Sequence, residues 1–151
     1  MISTNGRHKF SLEKKGDIYD LDISDHPGLK DIYVLTKLPL KKLNLSHTSV
    51  RNLSPLKEMS LDALIINNTF VSELGALKKM ALIELDLRAS HVTKINEVNF
   101  SRLKRFYMND FILNLQPLSK ARVLEEVYLP KSFKNHKQLS FIPENTKLIF
   151  Y

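Results

Sequence analysis

The stretch from Leu40 to Ala81 reads LKKLNLSHTSVRNLSPLKEMS (40–60) followed by LDALIINNTFVSELGALKKMA (61–81). Both halves carry one pattern. Leu40, Leu43, Leu45, Thr48, Val50, Leu53 and Leu56 recur as Leu61, Leu64, Ile66, Thr69, Val71, Leu74 and Leu77, a shift of 21 at every step. A fixed pitch of this size marks a solenoid, in which no unit buries its apolar face alone and each does so against its neighbours. The Leu-x-Leu at the head of each copy suits a short strand, because successive side chains of a strand point to opposite faces.

The pitch extends in both directions. Copies begin at Leu82 (Leu85, Leu87, Ser90, Val92, Ile95, Val98), at Leu103 (Phe106, Met108) and at Leu124 (Val127, Leu129). After Met108 the apolar positions Ile112, Leu115 and Leu118 fall one residue early, and the last copy is interrupted at Pro130. A further pitch lands on Asn145 and makes Leu148 and Phe150 the core positions of a terminal strand, Lys147 to Tyr151. Upstream, Ile18, Leu21 and Ile23 head an irregular copy. Its Leu29, Ile32 and Leu35 fall one residue late, which puts an insertion in the loop around His26-Pro27-Gly28. From Lys9 to Glu13, Phe10 and Leu12 share one side, and Lys14-Lys15-Gly16-Asp17 offers a turn. This predicts an N-terminal strand that doubles back and covers the first edge. The expected organisation is one domain over 1–151: a cap strand (1–17), repeats (18–123), then the last repeat and C-terminal cap (124–151). The return segments SPLKEM, GALKKM and QPLSKA are too short for long helices, so one-turn or 3₁₀ pieces are expected there.

With 151 residues the chain can bury a continuous core. It has no cysteine, so neither disulfides nor a thiolate metal site can hold it. The start, MISTNGRHKF, lacks the apolar run of a secretion signal, and the longest aliphatic run, Ala63 to Ile66, is far too short for a membrane span. A soluble, cytoplasmic protein with no membrane partner is expected. Lys and Arg number 23 against 16 Asp and Glu, a net charge of +7. That excess suits either a nucleic-acid partner or a solvated exterior.

The run Leu-x-x-Leu-x-Leu-x-x-Thr-x-Val-x-x-Leu-Ser-Pro-Leu from Leu40 to Leu56 resembles the short bacterial class of leucine-rich repeats. It is similar to internalin-type and phosphatase-regulator-type repeats, and most of all to the arrays attached to serine/threonine kinases in planctomycete-like bacteria. The resemblance covers residues 18 to 129. It implies an α/β, right-handed leucine-rich repeat solenoid, with a parallel sheet on the concave face and short turns or 3₁₀ segments on the convex side. It also implies a protein-binding surface and no catalytic residues. The position often held by Asn in these repeats is Thr48, Thr69 and Ser90 here. A hydroxyl there can bond loop backbone as the amide does. Phe111 interrupts that ladder.

Chemistry-bearing motifs are sparse. The histidines, at 8, 26, 47, 91 and 136, form no i, i+4 pair, and no G-x-S-x-G, P-loop or H-E-x-x-H occurs. No enzyme activity, cofactor or metal is expected. The informative positions are the third, fifth and seventh of each repeat, which alternate away from the core and face the concave side. They hold five acids and four bases, so the positive excess must lie on loops and on the convex side, with Lys57, Lys78, Lys79 and Lys120 in the return segments. This argues against nucleic acid in the concave groove. Glu84, Arg105, Glu126 and Lys147 alternate in sign across adjacent strands and predict a ladder of exposed ion pairs. Tyr107, Tyr128, Ile149 and Tyr151 cluster on the last strands of this face, where exposed aromatics make good anchors. With Ile65, Arg88 and Arg105 they are the candidate partner-binding residues. The competing expectation is that Lys131 to Pro143 folds over this patch and caps it.

The leading expectation is therefore a non-catalytic module binding an unidentified protein on its concave face. A homodimer through the apolar terminal strand is one form it could take. Two alternatives stand beside it: a basic module binding nucleic acid or another polyanion through the convex side, and the interaction domain of a larger signalling protein such as a kinase.

Overall fold

Each Leu-x-Leu head becomes a strand because its two inward side chains find the same two side chains one pitch away. In the computed structural model, which describes residues 10–151, eight strands form one sheet in chain order. They are β1 (Ser11–Lys15), β2 (Ile18–Asp22), β3 (Leu40–Asn44), β4 (Ala63–Ile65), β5 (Glu84–Asp86), β6 (Arg105–Tyr107), β7 (Glu126–Leu129) and β8 (Lys147–Phe150). β1 runs antiparallel to β2 and turns at Gly16, whose φ of 65° a glycine adopts without strain. Every later pair is parallel. The register puts Leu43, Leu64, Leu85, Phe106, Val127 and Leu148 side by side, the column that the pitch predicts. The N-terminal strand doubles back as expected but pairs on through Lys14 and Lys15, which confines the turn to Gly16 and Asp17, while Lys9 lies outside the described residues.

Among the described residues the returns are short 3₁₀ segments and turns, with no α-helix. Tyr33–Lys37, Ser54–Leu56, Gly75–Leu77 and Gln116–Lys120 each bury one leucine of the repeat: Leu35, Leu56, Leu77 and Leu118. The structure is thus a leucine-rich repeat solenoid, with the sheet on the concave face and these segments on the convex side.

Four loops leave their strands through a left-handed residue: Asp25, His47, Asn68 and Ala89, with φ between 50° and 58°. A side chain there costs about 1–2 kcal/mol. In three of these loops the hydroxyl that follows closes the turn and offsets part of that cost, while His26 follows Asp25. Thr48 Oγ1 donates to the Leu45 carbonyl at 2.7 Å, Thr69 Oγ1 to Ile66 at 2.7 Å, and Ser90 Oγ to Leu87 at 2.6 Å. All three hydroxyl residues are buried, in the structural role expected of them.

The repeat at Leu103 does this differently, and the difference explains its missing residue. No left-handed residue follows β6. In the two preceding loops the backbone N–H of Phe70 and His91 donates to the carbonyl of Val50 and Val71. Here the matching carbonyl, Val92, is taken at 2.9 Å by the side-chain amide of Asn109. Asn109 Oδ1 meanwhile accepts from the N–H groups of Phe111 and Ile112 at 3.0 and 3.2 Å. Asn109 was expected on the concave face as a seventh-position residue. It is buried instead, because one side chain replaces a whole backbone position. Phe111 thus interrupts the hydroxyl ladder as expected, and its side chain, like those of Phe70 and His91, is exposed.

The irregular first repeat carries the expected extra residue between His26 and Gly28, since Ser49 N–H donates to the Leu29 carbonyl just as Phe70 N–H does to Val50. A second irregularity had no signal in the sequence. Tyr19 pairs with Leu40 but Asp20 with Lys42, so β3 holds a bulge at Lys41. At the other end, Lys131–Phe133 and Lys137–Phe141 form 3₁₀ segments. Gln138 pins the second to the return side: its side-chain amide donates to the Leu113 carbonyl, and its oxygen accepts from Leu115 N–H, both at 2.7 Å. This segment stacks on Gln116–Lys120 and extends the convex side. It does not take the course over the concave tyrosines that was its alternative.

Candidate protein-binding face

Residues of the concave face come from the odd positions of each strand, and the parallel register sets them in rows. The fifth-position row runs Ile65, Asp86, Tyr107, Tyr128, Ile149 across β4 to β8. Its centre is a stack. The rings of Tyr107 and Tyr128 are stacked, with centroids 4.1 Å apart and planes at 15°. On the other side of Tyr107 lies the guanidinium of Arg88, 4.8 Å from the ring centroid and 6.0 Å from that of Tyr151. Both faces of the Tyr107 ring are therefore covered.

Arg88 is held in place from below. Asp86, two residues earlier on the same face, is buried and grips it with two parallel bonds, Nε to Oδ1 at 3.0 Å and Nη2 to Oδ2 at 2.6 Å. That grip, with burial opposing it, raises the Arg88 pKa above its ordinary value. Asp86 is the residue of this site that strand alternation alone did not single out, since alternation placed it among exposed concave acids. The available signal was its spacing, an acid and a base at i and i+2 of one strand face.

The third-position row is paired rather than laddered. Arg105 Nη2 bonds Glu84 Oε2 at 2.8 Å, and Lys147 Nζ lies 3.4 Å from Glu126 Oε1. These are two separate bridges, and Glu126 also accepts from the Tyr128 hydroxyl at 3.1 Å. Partly exposed bridges of this kind contribute at most about 1 kcal/mol each, but with the Asp86–Arg88 pair they leave the C-terminal half of the face without net charge.

The seven candidate residues are thus distributed as follows. Arg88, Tyr107, Tyr128 and Tyr151 form one cluster. Ile149 is half-buried beside Tyr128, and Arg105 flanks the cluster through Glu84. Ile65 stands one strand further out, separated from the tyrosines by Asp86. Tyr151 is less free than expected, because its hydroxyl donates to the Met108 carbonyl. Among the described residues no three His, Asp or Glu converge as a metal site would require.

Burial raises the pKa of Tyr107 and of Tyr151 to about 12. Both values lie above the unfolded tyrosine value of about 10, so the unfolded chain loses these protons first. The contribution of these two groups to stability is accordingly constant below about pH 10 and falls as pH rises from there towards 12. Two tyrosines should titrate late in an ultraviolet absorbance titration, and Tyr107→Phe should remove one of them.

The arrangement is that of the internalin-type leucine-rich repeat fold. Internalin F (inlF) of Listeria monocytogenes superposes with a TM-score of 0.71 at 19% identity, over 87% of this chain and 42% of that one. Internalin C2 (inlC2) of the same organism superposes with a TM-score of 0.72 at 23% identity, over 86% of this chain and 59% of that one. The chain thus spans about half the length of these two proteins. No family model and no curated protein matches the sequence. Among the described residues no helix is long and apolar enough to cross a membrane.

Proposed function

We propose that this chain is a non-catalytic protein-interaction module that engages a protein partner with the C-terminal half of its concave face. The observation that supports the reading is the stack of Arg88, Tyr107 and Tyr128 on the rigid sheet. Aromatic and arginine side chains dominate binding hot spots, and side chains locked before contact lose little entropy on binding. The bridges to Asp86 and Glu84 neutralise the face, so the partner segment that suits it is apolar or hydrogen-bonding rather than highly charged. It would meet ring edges and hydroxyls, because the faces of Tyr107 are occupied. The cytoplasmic setting expected from the sequence is part of this proposal.

A second copy of the chain is one partner that fits. Among the described residues β8 pairs with β7 alone, and Leu148 is 37% exposed in a column otherwise buried. Light scattering of wild type and of Ile149→Lys reads this directly; a dimer that the substitution dissociates supports it. For a heterologous partner, Tyr107→Ala with Tyr128→Ala should weaken binding by about 2 kcal/mol or more, roughly thirtyfold, without loss of the folded baseline. Isothermal titration with the partner recovered by cross-linking measures it. A partner whose affinity ignores both substitutions sinks the concave-face reading.

A further inference from the structure

The convex side has an electrostatic and apolar pattern that the concave reading does not use. Its 3₁₀ segments stack one on another, Tyr33–Lys37 on Ser54–Leu56 on Gly75–Leu77, and Gln116–Lys120 on Lys137–Phe141. Because each turns its leucine inward, the neighbouring positions are forced out. Lys57 and Lys78 directly follow that leucine and share one repeat position, Lys120 lies two residues after Leu118, and Lys79, Arg122 and Lys137 are exposed beside them. None of these six forms an ion pair with a carboxylate among the described residues, while the acids on or beside the same returns include Asp31, Glu58, Glu73 and Glu97. The acids of the concave face, by contrast, are largely bonded to their own bases. These returns therefore carry lysines without bridging carboxylates among the described residues.

The basic stripe is bracketed by exposed apolar side chains. At its N-terminal end Tyr33 and Val34 are 68% and 71% exposed. At its C-terminal end Val123 and Phe141 are exposed, Phe141 one pitch beyond Lys120. Isolated apolar side chains set around unpaired lysines suit an interface that accepts both, with anionic head groups above a hydrocarbon layer. Nucleic acid suits the pattern less well. The surface bulges and so forms no groove around a strand, and its aromatics stand at the two ends instead of being interleaved with the bases.

We propose that the convex side docks peripherally on an anionic lipid surface, with the lysine stripe over the head groups and Tyr33, Val34, Val123 and Phe141 dipping between them. The concave face is left free in this arrangement, so the proposal does not depend on the partner reading above.

Co-sedimentation with phosphatidylcholine–phosphatidylglycerol vesicles tests it. Wild type should pellet with the mixed vesicles, stay in solution with pure phosphatidylcholine, and be released by salt. Lys57→Glu with Lys78→Glu and Lys120→Glu should weaken binding roughly a hundredfold or more. Tyr33→Ser with Val34→Ser should weaken it while leaving the salt dependence intact. Tyr107→Ala with Tyr128→Ala should leave it unchanged. All of these substitutions except the tyrosine pair fall on exposed positions in or directly after the 3₁₀ segments, and melting curves identify any variant that has lost its fold. Wild type that ignores anionic vesicles, that binds neutral ones equally, or whose binding survives the three charge reversals would overturn the proposal. Tighter binding to a DNA oligonucleotide than to vesicles, abolished by the same reversals, would overturn it too and assign the stripe to nucleic acid.

Discussion

Leu85→Ala is expected to lower the unfolding free energy by about 2–5 kcal/mol, whereas Leu148→Ala should cost about 1 kcal/mol or less. The two leucines hold the same repeat position. Leu85 lies between Leu64 and Phe106 with 0% of its surface exposed, so truncation leaves a cavity that flanking strands cannot collapse to fill. Leu148 has a strand on one side alone and is 37% exposed, so solvent and neighbouring side chains close over the loss. A stack of nearest-neighbour interfaces predicts this dependence on position in the array. Urea unfolding of the two variants side by side measures it. Equal costs would mean that the column is not buried as the register requires.

Asn109→Leu is expected to cost about 3 kcal/mol or more. It leaves the N–H groups of Phe111 and Ile112 and the Val92 carbonyl without their partners, at about 1–3 kcal/mol for each group buried unbonded. The amide also donates to Ser90, at 3.1 Å to its carbonyl and 3.2 Å to its hydroxyl, so the damage reaches back into the preceding loop. A rescue separates this account from simple loss of a polar residue. Replacing Asn109-Asp110 by the three residues Asn-Asn-Thr found at 67–69 restores the left-handed position and the buried hydroxyl of the neighbouring loops. That longer chain should recover most of the stability in thermal melts. A longer chain no more stable than Asn109→Leu would show that Asn109 does not stand in for the missing residue.

These two sites also divide what can be read from residues from what cannot. The pitch of 21 determined the fold, its strand register and the inward column, because every core contact of a solenoid is made between identical slots of adjacent copies. Alternation along each strand likewise determined that Tyr107 and Tyr128 share a face and that Arg105 meets Glu84. Alternation assigns a face, however, and not a depth. Whether a concave position is open depends on which side chains from neighbouring strands close over it, and that is settled only when all are packed together. Asp86 is buried under Arg88, and Asn109 turns inward because the loop behind it lacks one backbone donor for Val92. The convex side follows the same rule. Its lysines were countable from the sequence, but their lack of carboxylate partners among the described residues, and the exposure of Tyr33 and Val34 beside them, depend on the order in which the 3₁₀ segments stack. Contacts repeated at the pitch were legible in the chain; those made once, between unlike side chains of different repeats, existed only in the folded array.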